Sequence, residues 1–322
     1  MNLKNCSVEA KGAALAEAAN RVRAGGLVAF PTETVYGLGA DATNAAAVAR
    51  IYSVKGRPHD HPVIVHIAEL NQLDIWAEDI PDYAIALARQ FWPGPMTLIL
   101  PKRATVGDFI TGGQSSVGIR IPNHPIALEF LKSAGVGIAA PSANRFGALS
   151  PTSALAVAEE IGEFLDPERD LILDGGSSIV GVESTIIECL GPRPKILRPG
   201  AITQEMVESV TGLTVDESSS VVRASGTLEQ HYSPRAKLFL LDPINPVVAC
   251  IVGVGFLALE RFPTPEGAIR LANPKNDQEY AQVLYDALRE GDRRNLPAIY
   301  VVPPSGSGVA VAIRDRLKRA SS

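Results

Sequence analysis

Residues 27–39 read LVAFPTETVYGLG, and this stretch decides the fold. Leu27 to Phe30 form a short apolar run closed by Pro31, which cannot continue a central strand. A strand buried on both faces reads as unbroken apolar sequence rather than alternation, and it belongs to a sheet covered by helices. Just beyond it stand Thr32 and Thr34, two residues apart. In extended backbone such residues project to one face. Both hydroxyls are therefore expected to enter one cleft past the strand end, where open α/β sheets bind ligands.

Upstream, an alanine-rich helix with Ser7 as its N-cap is stopped by Gly25-Gly26. Downstream, Thr43 is the expected cap of a helix over 45–52. The β-branched run VIVHI predicts a strand over 63–67, and further apolar runs predict strands over 96–100, 117–121, 137–140, 171–173 and 185–187. Helices over 84–91, 127–132 and 154–161 fall among them. Such alternation implies an α/β domain, and the prolines that follow many strands favour a twisted mixed sheet with helices over a regular doubly wound one. A helix over 203–210 ends near Gly212, and residues 213–235 read as a polar linker or lid. Beyond it, strands over 237–241, 249–254 and 298–302 with helices over 278–289 and 309–319 make a small, three-layered C-terminal α/β domain. The division is thus 1–212, 213–235 and 236–322, with no internal repeat.

Composition fits two packed domains: 322 residues, 46% hydrophobic and 20% charged. A formal charge of −5 argues against a broad basic surface wrapping nucleic acid, while leaving room for a local cationic cleft. Cys6, Cys189 and Cys250 are too few and scattered for zinc or a disulfide framework, so reduced thiols in a cytoplasm are expected. The N-terminus lacks the apolar stretch of a secretory signal, and the apolar stretch 247–259 is shorter than a membrane span. No membrane partner is expected.

Two more polar pairs repeat the spacing of Thr32 and Thr34: Lys55/Arg57 in KGRP and Ser142/Asn144 in PSANRFG. The residue before a proline is pushed out of the helical region, so Arg57 should be extended and Lys55 should share its side. Two cations held together repel unless an anion lies between them, which points to phosphate or carboxylate. Arg120 follows an apolar strand and Arg198, in ILRPG, precedes a proline as Arg57 does; a cation at the end of an apolar strand calls for an anionic partner, and Ser184 stands where a strand begins. The bland alternatives are a solvated loop for KGRP, a turn for PTETVYGLG and a capping turn for PSANRFG. His59 and His61 flank Asp60 but have no third histidine or cysteine nearby, and His66 inside VIVHI reads as a core histidine, so no protein-built metal site is expected. A P-loop and a GxSxG elbow are both absent from the sequence.

Taken in order, PTETVYGLGAD, KGRPHDHPVIVH, FWPGPMTLIL, SVGIRIPNHP, APSANRFGALSPT, GVESTI and ILRPG resemble the YrdC-type threonylcarbamoyl-AMP synthases over residues 1 to about 200. SGTLEQHYSP and the α/β tail are similar to the long, two-domain members, in which an HY-x-P segment passes over the site. The resemblance implies an enzyme joining L-threonine, bicarbonate and ATP into threonylcarbamoyl-AMP and pyrophosphate. A downstream transferase then modifies the adenosine beside a tRNA anticodon, with tRNA itself a transient partner. It also implies that Lys55, Arg57, Ser142 and Asn144 form the catalytic cluster; that Thr34, His66, Arg120, Ala140 and Ser184 hold threonine; and that Arg57, His61, Ser116, Ser142, Ser150, Arg198 and Glu229 hold ATP. Magnesium would arrive with the triphosphate. Two other classes compete. One is an RNA-binding protein without catalysis, which the net acidity opposes. The other is a carbamoyl-transfer enzyme using carbamoyl phosphate, whose zinc-finger and acylphosphatase segments are missing.

Overall fold

A computed structural model describes residues 3–5, 11–226, 231–244 and 252–322. Its first part runs β1 (Leu3–Asn5), α1 (Lys11–Arg23), β2 (Val28–Phe30), β3 (Gly37–Asp41), α2 (Ala45–Lys55), β4 (Ile64–His66), α3 (Leu73–Trp76), α4 (Asp82–Phe91), β5 (Met96–Pro101), α5 (Asp108–Thr111), β6 (Ser116–Arg120), α6 (Pro125–Ala134), β7 (Ile138–Ala139), α7 (Ala154–Ile161), β8 (Leu171–Asp174), β9 (Thr185–Glu188), β10 (Lys195–Arg198) and α8 (Gln204–Thr211). The strands join one sheet in the order β1-β8-β2-β3-β7-β4-β6-β5-β9-β10. Parallel pairs (β1/β8, β2/β8, β4/β6, β5/β9) mix with antiparallel ones, giving the twisted mixed sheet expected.

The apolar run of β2 explains its place. Val28 and Phe30 pack with α1 and α6, while Leu27 and Ala29 face the opposite core with Val48, Ile51 and Leu87. Both faces are dry, so neither can be polar. The alanines of α1 let it lie close against α6. The cap of α2 is Asn44, whose side chain accepts from Ala47 N at 3.1 Å, and not Thr43. Thr43 instead donates its hydroxyl to Asp41 Oδ1, a local turn that removes it from capping. Ser7, the expected cap of α1, lies outside the described residues.

The second part holds β11 (Lys237–Leu240), β12 (Gly255–Leu257), β13 (Ile269–Ala272), α9 (Asp277–Arg293), β14 (Ala298–Val301) and α10 (Val309–Ala320). Its strands form a parallel sheet ordered β11-β14-β12-β13. Ile299 and Val301 pack with both helices, whereas Tyr300 and Phe256 face away. Among the described residues this part therefore has two layers rather than three. The strand expected over 249–254 begins later, at Gly255, and residues 245–251 are not among those described. Among the described residues no helix is long and apolar enough to cross a membrane.

Between the two sheets, residues 213–226 run back over the first. Val222 and Ala224 pack on Ile99 and Ile186, and Arg223 reaches the Gly112 carbonyl at 2.6 Å. The chain thereby crosses the end of the large sheet at which the polar motifs gather.

Candidate active site

Several strand ends meet beneath this crossing segment. His66 and Arg120 are register neighbours closing the parallel strands β4 and β6. Ala140 follows β7, Ser184 precedes β9, and Arg198 ends β10. Together with Thr32, Thr34, Arg57 and Ser142 they line a cavity with about 550 Å³ of open space. Ser225, Gly226, His231 and Tyr232 complete the wall from the linker side.

The cavity's charge is set by which cations already have partners. Arg120 Nη2 lies 2.7 Å from Glu33 Oε1, and both side chains are buried. Arg57 donates to the Pro62 carbonyl at 2.8 Å and to Ser225 Oγ at 3.1 Å. Arg198 donates to the Ser184 carbonyl at 2.9 Å, to Ser184 Oγ at 3.2 Å and to the Ser225 carbonyl at 2.8 Å. Among the described residues no carboxylate pairs with either of these two guanidiniums. Burial pulls the Arg57 guanidinium down to about 10 and lowers that of Arg198 too. Two desolvated cations bonded only to neutral oxygens make a site that favours a polyanion.

Both histidines of the wall are uncharged. Burial, helped by Arg120, pushes His66 down to about 3. Burial and the cations Lys55, Arg57 and Arg198 outweigh Glu183 and do the same to His231. Thr32 donates its hydroxyl to the Val35 carbonyl at 2.6 Å and stays 2.8 Å from the Thr34 hydroxyl. Ser184 Oγ lies 2.8 Å from Thr97 Oγ1. Small hydroxyls, imidazoles, an Arg–Glu pair and two guanidiniums outside any ion pair thus line one cavity, with Ser184 Oγ accepting from Arg198 at 3.2 Å.

Only part of the expected constellation lines this space. Lys55 is the last residue of α2, and Gly56 caps that helix in the left-handed region at φ 61°, so the pair Lys55/Arg57 is not extended. Arg57 enters the cavity. Lys55 instead lies behind the wall, donating to the Ser142 carbonyl at 2.6 Å and to the Asn144 carbonyl. Burial, then Arg57, holds its ammonium well below the usual lysine range. Asn144 turns away as well, donating to the Arg145 and Ala148 carbonyls at 2.8 Å. Ser150 is fully buried beside Glu183 and does not line the cavity. His61 packs edge-on against Phe146 outside the wall, with its carbonyl accepting from Tyr52 at 3.0 Å. Ser116 lines a separate groove of about 280 Å³ with Ile64, Ile99, Ile186 and Ser225, and Ile64 and Ser225 also belong to the cavity wall. Glu229 lies outside the described residues.

Reading by pairs also missed residues. Glu33 stands between the two threonines and finds Arg120 only through the sheet. Glu183 lines the cavity, and its carboxylate accepts from Tyr285 and Arg316 of the second part. Ser225 holds both free guanidiniums. His231 and Tyr232 were signalled only by the HYSP segment.

Comparison with known proteins identifies the family to which this fold belongs. A family model described as "Telomere recombination" (Sua5/YciO/YrdC) matches residues 20–200, and one described as "Threonylcarbamoyl-AMP synthase, C-terminal domain" matches residues 202–322. The threonylcarbamoyl-AMP synthase of Pyrococcus abyssi is 39% identical over 319 residues, covering 94% of this chain and 93% of that one. The Bacillus subtilis enzyme of the same name is 39% identical over 327 residues, covering 95% and 92%. The crystal structure of P. abyssi Sua5 complexed with L-threonine superposes with a TM-score of 0.88 at 38% identity, covering 99% of this chain and 97% of that chain. With a strand-end cavity of this make-up and both family domains present along its length, the chain belongs to the Sua5/YrdC family of threonylcarbamoyl-AMP synthases and is an enzyme of the nucleotidyltransferase type.

Proposed function

We propose that this protein condenses L-threonine, bicarbonate and ATP into threonylcarbamoyl-AMP, releasing pyrophosphate, to supply a transferase that modifies tRNA. One observation carries the reading. The buried guanidiniums of Arg57 and Arg198, neither in an ion pair with a carboxylate, share a cavity with small hydrogen-bonding groups suited to an amino acid. A relative solved with L-threonine supports the amino-acid half.

In this reading Arg120, tethered by Glu33, meets the threonine carboxylate, while the Thr34 and Ser184 hydroxyls and the neutral His66 read its polar groups; Ala140 leaves room for its methyl. The amine adds to carbon dioxide derived from bicarbonate, losing a proton to give a carbamate. A carbamate oxygen then attacks the α-phosphorus of ATP, and the bond to pyrophosphate breaks. Neither step needs a protein nucleophile. Carbamates decompose readily, so the site must exclude water and align the second step at once. Arg57 and Arg198 offset the charge that grows on the phosphoryl oxygens and leaving pyrophosphate. The apolar groove beside Ser116 suits the adenine, and magnesium enters as part of the ATP complex. Lys55 and Asn144 act from behind, fixing the loop that presents Ser142.

The test is pyrophosphate release by the purified protein with ATP, bicarbonate and each amino acid in turn. Release specific to threonine is expected. Equal release with every amino acid, or none with threonine, contradicts the proposal.

A further inference from the structure

Arg316, on α10 of the second part, is only 1% exposed and far along the chain from the strand ends that build the cavity. Its Nε donates to Glu183 Oε2 at 2.7 Å, and its Nη2 donates to the Pro199 carbonyl at 3.0 Å. The Tyr232 ring lies beneath the guanidinium, 5.4 Å from centroid to carbon. Asp315 balances the remaining edge, accepting from Nη1 at 2.6 Å. A buried ion pair across an interface is, by itself, weak evidence of anything but docking. This one differs in where its partners lead. Glu183 and Tyr232 line the cavity themselves, Glu183 precedes Ser184, and Pro199 follows Arg198, both lining residues. Arg198 closes the circuit by donating to the Ser184 carbonyl.

The geometry points to Arg316 as a positioning residue through which the C-terminal domain sets the charge and shape of the cavity wall. It keeps the Glu183 carboxylate engaged, so that Arg198 remains turned toward Ser184 and the space for a polyanion. Glu183 is faced by Arg316 and Arg198, by the hydroxyl of Tyr285 at 2.9 Å, by Tyr232 and Ser150, and by the neutral His231. Burial alone would raise this carboxyl; Arg316 and Arg198 override it and bring it down to about 2. Without Arg316 the carboxylate has Arg198 as its nearest cation and draws it off the substrate. This inference rests on the proposed function.

The test compares wild type, Arg316→Met, Arg316→Lys and the double variant Arg316→Met/Glu183→Gln. Arg316→Met should lower kcat/KM for ATP at least tenfold and give the pH profile an added ionisation that wild type lacks. Arg316→Lys should recover most of the loss. The double variant should erase the new ionisation and regain several-fold over the single one, because the stray carboxylate is gone. A merely structural residue would give an unchanged pH profile and additive losses, which would overturn the inference. So would wild-type kinetics in Arg316→Met. If Arg316→Met does not fold, Arg316→Gln removes the charge while keeping polar contacts and must show the same added ionisation. Wild-type protein that makes no threonylcarbamoyl-AMP refutes the functional reading instead. Calorimetric affinity for a non-hydrolysable ATP analogue, weakened tenfold in Arg316→Met or unchanged, then still decides the role of Arg316.

Discussion

In the proposed reaction Arg57 and Arg198 are the side chains on which the chemistry depends most. Each is desolvated and held only by carbonyl and hydroxyl oxygens, so each is free to exchange those partners for phosphate oxygens. Arg57→Met or Arg198→Met should remove about 2 to 4 kcal/mol of transition-state stabilisation, the scale of one preorganised donor. That is roughly a thirty- to thousandfold fall in kcat/KM for ATP, with affinity for threonine in calorimetry little changed. Equal losses for both substrates would contradict the roles proposed for these two guanidiniums. A second consequence concerns acid. His66 and His231 are buried and uncharged, with folded values of about 3. Once unfolded, each takes up a proton below about pH 6.5. The unfolded chain then binds more protons, so stability is full above that pH and falls as pH drops toward 3, by up to about 1.4 kcal/mol per pH unit for each histidine. Urea midpoints at pH 7.5 and 5 should differ accordingly, and His66→Asn should flatten the dependence by one proton. Identical midpoints would refute neutral burial.

At the scale of elements, the unbroken apolar run of β2 was readable because both its faces are buried, and a two-sided core leaves an unmistakable trace. β3, with the sequence GLGAD, and β10, with charged ends, carry no such trace and were not predicted from pattern. The KGRP segment misled for a local reason. Helix α2 continues to Lys55, and the glycine after it turns the chain, so the two cations part company where extended backbone would have joined them. The place of Arg57 in the cavity was legible; the position of Lys55 behind the wall was not, because its partners are carbonyls in a loop far along the chain. Gly56→Ala tests this cap. An added Cβ would sit at φ 61° and 2.8 Å from Arg145 Nη2. A loss of about 1 to 2 kcal/mol in stability is expected, with a fall in kcat as Arg57 shifts. Unchanged stability and rate would show that the cap does not position Arg57.

For the whole molecule, the site belongs to both sheets. The first supplies strand ends, and the linker and second domain supply the roof and the partners of Glu183. None of those long-range pairings could be read from local sequence, since carboxylate and guanidinium stand 133 residues apart. Close docking is built in at Gly181, where a Cβ would lie 2.2 Å from the Ala281 carbonyl oxygen of α9, at φ 78°. Gly181→Ala should therefore prise α9 from the segment carrying Glu183 and Ser184. A lower melting temperature and faster proteolysis between the sheets are expected, along with loss of activity; a variant that melts and turns over like wild type would argue against a shared site.

The most direct measurement supplies radiolabelled bicarbonate, ATP and threonine to the purified protein and separates the nucleotides formed. Label is predicted in an AMP adduct that requires threonine and disappears with Arg57→Met. Label that enters no nucleotide, or enters one equally without threonine, would contradict the account.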